Sequence, residues 1–211
     1  MSASASAGAP YRGKRSLDLA VLAIAAIPVA VVGAICALAI RLTSRGPVLF
    51  LQERVGMNGE RFVVWKFRTM IDGDNPIIPS ADRITPVGRI LRRTSLDELP
   101  QLVNVARGEM SVVGPRPTLA YQVDRWSDRQ RGRLAVRPGL TGLAQVNGRN
   151  DLSWPERIEY DLEYVATQSA LTDLRIIART ATAMVGGEGT GATAADDPIA
   201  AVEPRSEDGA A

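Results

Sequence analysis

Histidine is absent from this 211-residue chain. Imidazole acid–base catalysis, Ser-His-Asp triads, Cys-His dyads and histidine-based metal sites are therefore excluded. Cysteine is nearly absent as well: Cys36 stands alone inside an apolar run, so no intrachain disulfide or thiolate zinc site can form. Lysine occurs twice, as Lys14 and Lys66, against 23 arginines. Chemistry here must rest on carboxylates, hydroxyls, Lys and Arg, with or without a borrowed metal ion. Guanidinium is the cation best shaped to fork onto phosphate.

The 25 cationic and 23 acidic residues leave a net +2, unevenly spread. Residues 187–211 hold six acids against Arg205 alone, so residues 1–186 form a basic body. Such a body suits a phosphate-rich partner: nucleic acid, a nucleotide or an anionic membrane surface. No helix-turn-helix, RNP-type or zinc pattern is present, and no nucleic-acid partner is expected.

Residues 1–10 are rich in Ser and Ala, and the segment after Val185 is rich in Gly, Ala, Asp and Pro. Neither can bury much surface, and residues 1–13 and 186–211 are read as disordered ends. Residues 19–40 are 22 positions without a charge, long enough for a bilayer core of roughly 30 Å. Pro28 lies near the middle, where it removes a backbone hydrogen bond. Arg12, Lys14 and Arg15 flank one end, and Arg41 and Arg45 the other. Positive-inside bias places both flanks on the cytoplasmic side. A simple Pro-kinked span and a re-entrant helix that bends at Pro28 and returns, within residues 14–45, both remain open on these grounds.

Residues 46–185 read as an α+β, mostly helical domain. Val48-Leu49-Phe50-Leu51 and Phe62-Val63-Val64-Trp65 are strand-like, with Asn58-Gly59 between them as a hairpin turn. Ile71 to Arg83 is a polar loop. Ser95-Leu96-Asp97-Glu98 and Ser153-Trp154-Pro155-Glu156 both have capping-box spacing, and Pro100 complicates the first. Thr172 or Asp173 is the expected cap of a last helix ending near Val185. Arg137 to Gly142 and Val146 to Asn150 read as turn-rich loops, where binding groups often sit. Amphipathic helices would dock this small core on the membrane surface, with Trp65, Trp126 and Trp154 as interface or core residues.

Asp97-Glu98 is the candidate centre of chemistry. With histidine absent and Cys36 inaccessible, a carboxylate is the strongest nucleophile on offer. A helix N-terminus favours the ionised carboxyl and attracts phosphate. A divalent cation would relieve repulsion within the pair, and Mg²⁺ characteristically sits on one or two carboxylates plus substrate phosphates. The alternative is that Glu98 completes a capping box and Asp97 decorates a first turn. The surroundings are cationic: Lys66 and Arg68 end a strand, Arg92 and Arg93 lie upstream, Arg116 sits between two prolines, and eleven arginines fall between Arg83 and Arg137.

Several segments in order carry a resemblance. They are Lys14-Arg15 with Leu17-Asp18, the apolar segment with its proline, Gly46-Pro47-Val48-Leu49-Phe50, Gln52-Glu53-Arg54-Val55-Gly56, and Lys66-Phe67-Arg68-Thr69-Met70. Ser95-Leu96-Asp97-Glu98-Leu99-Pro100-Gln101 and the run from Gly108 to Pro117 follow, then Arg137 to Gly142 and Gln145 to Asn150. With them the chain resembles the bacterial sugar transferase family, small monotopic phosphoglycosyl transferases, from about Lys14 to Val185.

The resemblance implies transfer of a sugar-1-phosphate from a UDP-sugar to a polyprenyl phosphate, releasing UMP, at the cytosolic face of the inner membrane. It implies Asp97 as nucleophile in a covalent aspartyl-phosphosugar intermediate and Glu98, beside Asp97, as ligand to Mg²⁺. Lys66, Arg68, Arg92, Arg116 and Arg149 match basic positions around the phosphates, and Asp161 matches an acidic one. It also favours the re-entrant helix, although Ile27 stands where relatives often carry Ser before the proline. No further apolar span precedes Lys14, so the minimal catalytic form is expected. The competing reading is a catalytically silent, membrane-anchored module that binds anionic lipid or nucleotides.

Overall fold

A computed structural model describes residues 8–71, 83–148 and 152–186. The expected disorder of residues 1–7 and 187–211, most of the loop after Ile71, and Arg149 lie outside the described residues.

The chain opens with α1, Lys14–Thr43, which runs unbroken through Pro28. It is long and apolar enough to cross a membrane, and almost none of its apolar window is buried inside the protein. Ile24, Ile27, Val31, Ile35, Leu38 and Leu42 follow one another at helical spacing, and each is more than half exposed. Both ends, however, are fastened to one body. At the start, Lys14 and Asp18 are buried; near the finish, Cys36 and Ile40 pack with Phe67 and Leu91.

Next comes the expected hairpin, β1 (Leu49–Val55) and β2 (Arg61–Phe67), antiparallel with Leu49 opposite Phe67 and Val55 opposite Arg61. Asn58 takes a left-handed φ of 58° in the connection, a conformation that Asn tolerates better than most residues. The free edge of β2 is satisfied by a side chain: buried Asn104 accepts from the Trp65 amide at 3.2 Å and donates to the Val63 carbonyl at 2.7 Å.

Helix α2 (Pro86–Arg93) is capped by Thr85, whose hydroxyl accepts from the Gly88 amide at 2.9 Å. Gly88 is there for contact: a Cβ would lie 2.1 Å from the Thr69 carbonyl oxygen. A 3₁₀ turn, Leu96–Gln101, leads into α3 (Leu102–Arg107). Then follow β3 (Ser111–Val113), α4 (Ala120–Asp124), α5 (Asp128–Arg131), a 3₁₀ turn at Gly132–Ala135 and β4 (Gly139–Thr141). Helices α6 (Leu143–Asn147), α7 (Trp154–Thr167) and α8 (Ala170–Gly186) complete the chain. Among the described residues three apolar clusters hold it together, the largest built on Val64, Val105, Met110, Val113 and Tyr164.

Some expectations are corrected. Part of the loop read at Arg137–Gly142 is strand, because β4 pairs parallel with β3, Ser111 opposite Gly139. Their backbones approach so closely that a Cβ on Gly139 would lie 2.1 Å from the Gly114 nitrogen. Ser169, not Thr172 or Asp173, caps α8, its hydroxyl accepting from the Thr172 amide at 3.1 Å. Residues 8–13 are not all free: Tyr11 donates to Asp173 at 2.8 Å. Trp126 is buried in a cluster with Val55, Val123 and Ile158, so it is core rather than membrane interface, whereas Trp65 and Trp154 are half-buried. The Ser153–Glu156 capping box is present as read.

Candidate active site

The carboxylate pair sits on the 3₁₀ turn, where three residues make one turn and positions i and i+3 eclipse. Leu96 and Leu99 therefore share an edge, and both pack on the cluster of Cys36, Ile40, Phe67 and Leu91. Asp97 and Glu98 occupy the remaining positions, over β2 and the Pro115–Arg116–Pro117 turn. Ser95 enters with a left-handed φ of 57° and makes no capping hydrogen bond with its side chain. The capping box read at Ser95–Glu98 is absent for a concrete reason: other partners have taken the Glu98 carboxylate.

Those partners are Lys66 and Arg116. Lys66 Nζ lies 2.8 Å from Glu98 Oε1, and Arg116 Nη2 lies 2.7 Å from the same oxygen. Arg116 Nη1 reaches Oε2 more loosely, at 3.4 Å. Asp97 is half-buried, and among the described residues its carboxylate accepts no hydrogen bond.

The two carboxyls are pushed apart in acidity. Burial acts to raise Glu98, but the charges and hydrogen bonds of Arg116 and Lys66 outweigh it and hold Glu98 well below the usual carboxylate range. Asp97 is pushed up to about 6 by burial and then by the Glu98 charge, against the pull of Lys66, Arg116 and Arg92. Burial also lowers Lys66, opposed by Glu98, whereas the Glu98 charge raises Arg116. At neutral pH the site thus holds one pinned anion and one mostly ionised carboxylate with free lone pairs.

The other candidates divide. Arg92, in the last turn of α2, acts on Asp97 through its charge while its Nε donates to Thr69 Oγ1 at 2.8 Å. Arg68 is not brought to the pair: it is buried, and its guanidinium donates to the Ser44 and Arg45 carbonyls and to Ser44 Oγ, closing the C-terminal end of α1. Asp161 is buried behind the site in an ion pair with Arg133.

Sequence reasoning assigned Arg54 no role. It shares the β-sheet face of Lys66, and burial and then the Arg116 charge lower it to about 10, against the opposing effect of Glu98. Strand alternation, with residues 50, 52 and 54 on the Lys66 face, is the signal that could have found it.

No group of three or more metal-ligating side chains occurs among the described residues. The pair nevertheless fits Mg²⁺, which takes one or two carboxylates from a protein and completes its shell with phosphate oxygens and water. Asp97 has free oxygens, and Oε2 is the less engaged oxygen of Glu98.

The proportions of the charge also decide what binds. Lys66, Arg92, Arg116 and Arg54 surround two carboxylates, leaving a cationic surplus suited to a diphosphate. A half-buried carboxylate in a cationic frame thus stands on a body fastened to a helix long and apolar enough to cross a membrane. The chain belongs to the bacterial sugar transferase family, whose model matches residues 10–187. It is 46% identical over 180 residues to the UDP-glucose:undecaprenyl-phosphate glucose-1-phosphate transferase of Caulobacter vibrioides, covering 79% of this chain and 67% of that protein. It is 42% identical over 153 residues to the uncharacterized sugar transferase EpsL of Bacillus subtilis, covering 71% of this chain and 76% of the relative. A Klebsiella pneumoniae protein, also a UDP-glucose:undecaprenyl-phosphate glucose-1-phosphate transferase, is 44% identical over 177 residues; the match covers 78% of this chain but 38% of that larger protein.

The split acidity predicts a pH profile. Without a bound metal ion the Asp97 carboxyl is pushed up to about 6 in the wild type. Glu98→Gln removes the like charge and leaves Lys66 and Arg116 acting on Asp97, so its titration moves to lower pH. Carboxyl-carbon NMR of Asp97 in the metal-free protein, wild type against Glu98→Gln, checks this from about pH 4 to 8. A midpoint unmoved or moved upward would contradict it.

Proposed function

We propose that this chain transfers a sugar-1-phosphate from a UDP-sugar to a polyprenyl phosphate at the cytosolic face of the inner membrane, through a covalent intermediate on Asp97. The observation that carries the proposal is the unequal pair: two cations pin Glu98, while the neighbouring Asp97 oxygens have no partner among the described residues. The names of the Caulobacter and Klebsiella relatives support the donor and acceptor classes.

In the first step an Asp97 carboxylate oxygen attacks the β-phosphorus of the donor. The bond from that phosphorus to the bridging oxygen breaks, and UMP leaves with the electron pair. In the second step a phosphate oxygen of the polyprenyl carrier attacks the same phosphorus. The bond to Asp97 breaks, restoring the carboxylate and leaving a polyprenyl diphosphate sugar. Lys66, Arg116 and Arg54 face the charge that develops on the phosphoryl oxygens, and Arg92 adds to the field at Asp97. Bound at Glu98 beside Asp97, Mg²⁺ would neutralise diphosphate charge and relieve the repulsion between the carboxylates.

The acceptor is a membrane lipid, and α1 supports delivery at the membrane surface. Both of its ends pack on one body and carry basic flanks, which supports a helix that enters and leaves through the same leaflet with its exposed stripe toward lipid.

A donor panel tests the proposal: protein in membranes, polyprenyl phosphate, Mg²⁺ and several UDP-sugars, with UMP measured. At least one donor yields UMP, chelator stops its release, and added Mg²⁺ restores it. Absence of UMP with every donor contradicts the proposal, and full chelator-resistant turnover removes the metal from it.

A further inference from the structure

Arg116 lies between Pro115 and Pro117, neither of which has an amide hydrogen. The turn therefore has few donors of its own, and its shape is set through its carbonyls. Each finds a different donor. The Pro115 carbonyl accepts from the Gly139 amide at 2.8 Å and that of Thr118 from the Val55 amide at 2.9 Å. Pro117 accepts from Arg54 Nη1 at 3.5 Å. The Arg116 carbonyl itself accepts from Arg133 Nη2 at 2.9 Å.

Arg133 comes from the 3₁₀ turn at Gly132–Ala135 and is 2% exposed. The same Nη2 forms the ion pair with Asp161 of α7, which is 1% exposed. The guanidinium carbon sits 4.8 Å from the centre of the Trp126 ring. Arg133 Nε and Nη1 and Asp161 Oδ1 have no hydrogen-bond partner among the described residues. A buried, incompletely bonded ion pair is a poor source of stability, and well-packed apolar side chains of similar volume often do as well or better. What apolar side chains could not supply is the bond to the carbonyl of Arg116.

We infer that Arg133 and Asp161 are positioning residues: together they hold the backbone at Arg116, so that its guanidinium is aimed at Glu98 and the donor diphosphate. The inference rests on the transferase reading. Asp161 orients Arg133 by its charge, and Arg133 fixes the one carbonyl belonging to the arginine that meets Glu98. The arrangement pre-pays the ordering of a long side chain, so less is lost when phosphate binds.

Two variants test it. Arg133→Lys keeps a cation for Asp161 but cannot span both partners as the forked guanidinium does. Arg133→Met/Asp161→Leu removes both buried charges and keeps the volume apolar. In each, donor KM rises about tenfold while the melting midpoint stays near that of the wild type, because a ground-state contact has been loosened in a folded enzyme. In an Arg116→Ala background the same changes add nothing, since the group they position is gone.

Simple loss of folded enzyme would lower kcat and leave KM unchanged. Folded variants with wild-type KM, additive losses in the Arg116→Ala background, or failure of both variants to fold would each overturn the inference, the last assigning the pair to the core. If the wild type releases no UMP, the transferase reading fails instead, so the two failures are distinguishable.

Discussion

The expected result of Asp97→Asn is a loss of turnover of roughly 10³-fold or more, because in the proposed covalent mechanism an amide oxygen cannot replace the carboxylate as nucleophile. The substitution is nearly isosteric, and the variant remains folded. Its stability even rises at neutral pH. Asp97 has a folded pKa of about 6 against an ordinary 3.8. A carboxyl shifted upward on folding destabilises the folded state once the pH exceeds its unfolded value. Removing it relieves burial of charge and repulsion with Glu98, at the expense of chemistry, a trade-off common at active sites. UMP release and a melting curve on the same preparation check both halves. A silent anion-binding module would show neither a collapse in turnover nor any turnover to lose.

Lys14→Met has the largest expected effect on stability. Lys14 Nζ lies 2.5 Å from Asp173 Oδ2, 3.5 Å from Asp18 Oδ1 and 2.9 Å from the Val113 carbonyl. Asp18 and Asp173 are 2% and 0% exposed. Tyr11 and Tyr164 each donate to Asp173 at 2.8 Å, while Ser111 and the Val112 amide donate to Asp18. Without the ammonium, two carboxylates are left buried with no cation. Breaking a buried ion pair in this one-sided way costs about 3–5 kcal/mol, a large part of the 5–15 kcal/mol that holds a typical domain together.

The damage also reaches the active site. Arg15, next in sequence, donates to the Val105 and Ala106 carbonyls at 2.5 and 2.7 Å, securing the end of α3, which follows directly from the Asp97–Glu98 turn. Thermal unfolding in detergent should show a strongly lowered midpoint for Lys14→Met. An unchanged midpoint would mean that the first turn of α1 does not clamp the body.

Local signals in the sequence carried those parts of the fold that depend on local forces. The hairpin follows from β-branched and aromatic runs around Asn58-Gly59, and the start of α7 follows from Ser153 and Glu156. Ser95 and Glu98 have the same spacing but a different outcome, because Lys66 and Arg116, 32 and 18 residues away in sequence, capture the Glu98 carboxylate. The ionic cluster at Lys14 was equally invisible, since Asp173 lies 159 residues from its partner.

Three-residue strands such as β3 and β4 are too short to show alternation. Lys66 and Arg68 would share a face in a continuing strand. However, β2 stops at Phe67, and Arg68 turns to the end of α1 instead. In the site, the pairing of carboxylates with cations was legible from residue types. Which cation does what was not, because the backbone decides where each side chain is delivered.

The central claim, a transient bond between Asp97 and phosphorus, is tested most directly by the mass of the intact protein after incubation with UDP-sugar donor and Mg²⁺, without the lipid acceptor. The wild type should gain the mass of one sugar phosphate, lose it when polyprenyl phosphate is added, and carry it on the peptide containing Asp97. Unmodified wild-type protein under conditions that support turnover, or an adduct of the same size on Asp97→Asn, would contradict the account.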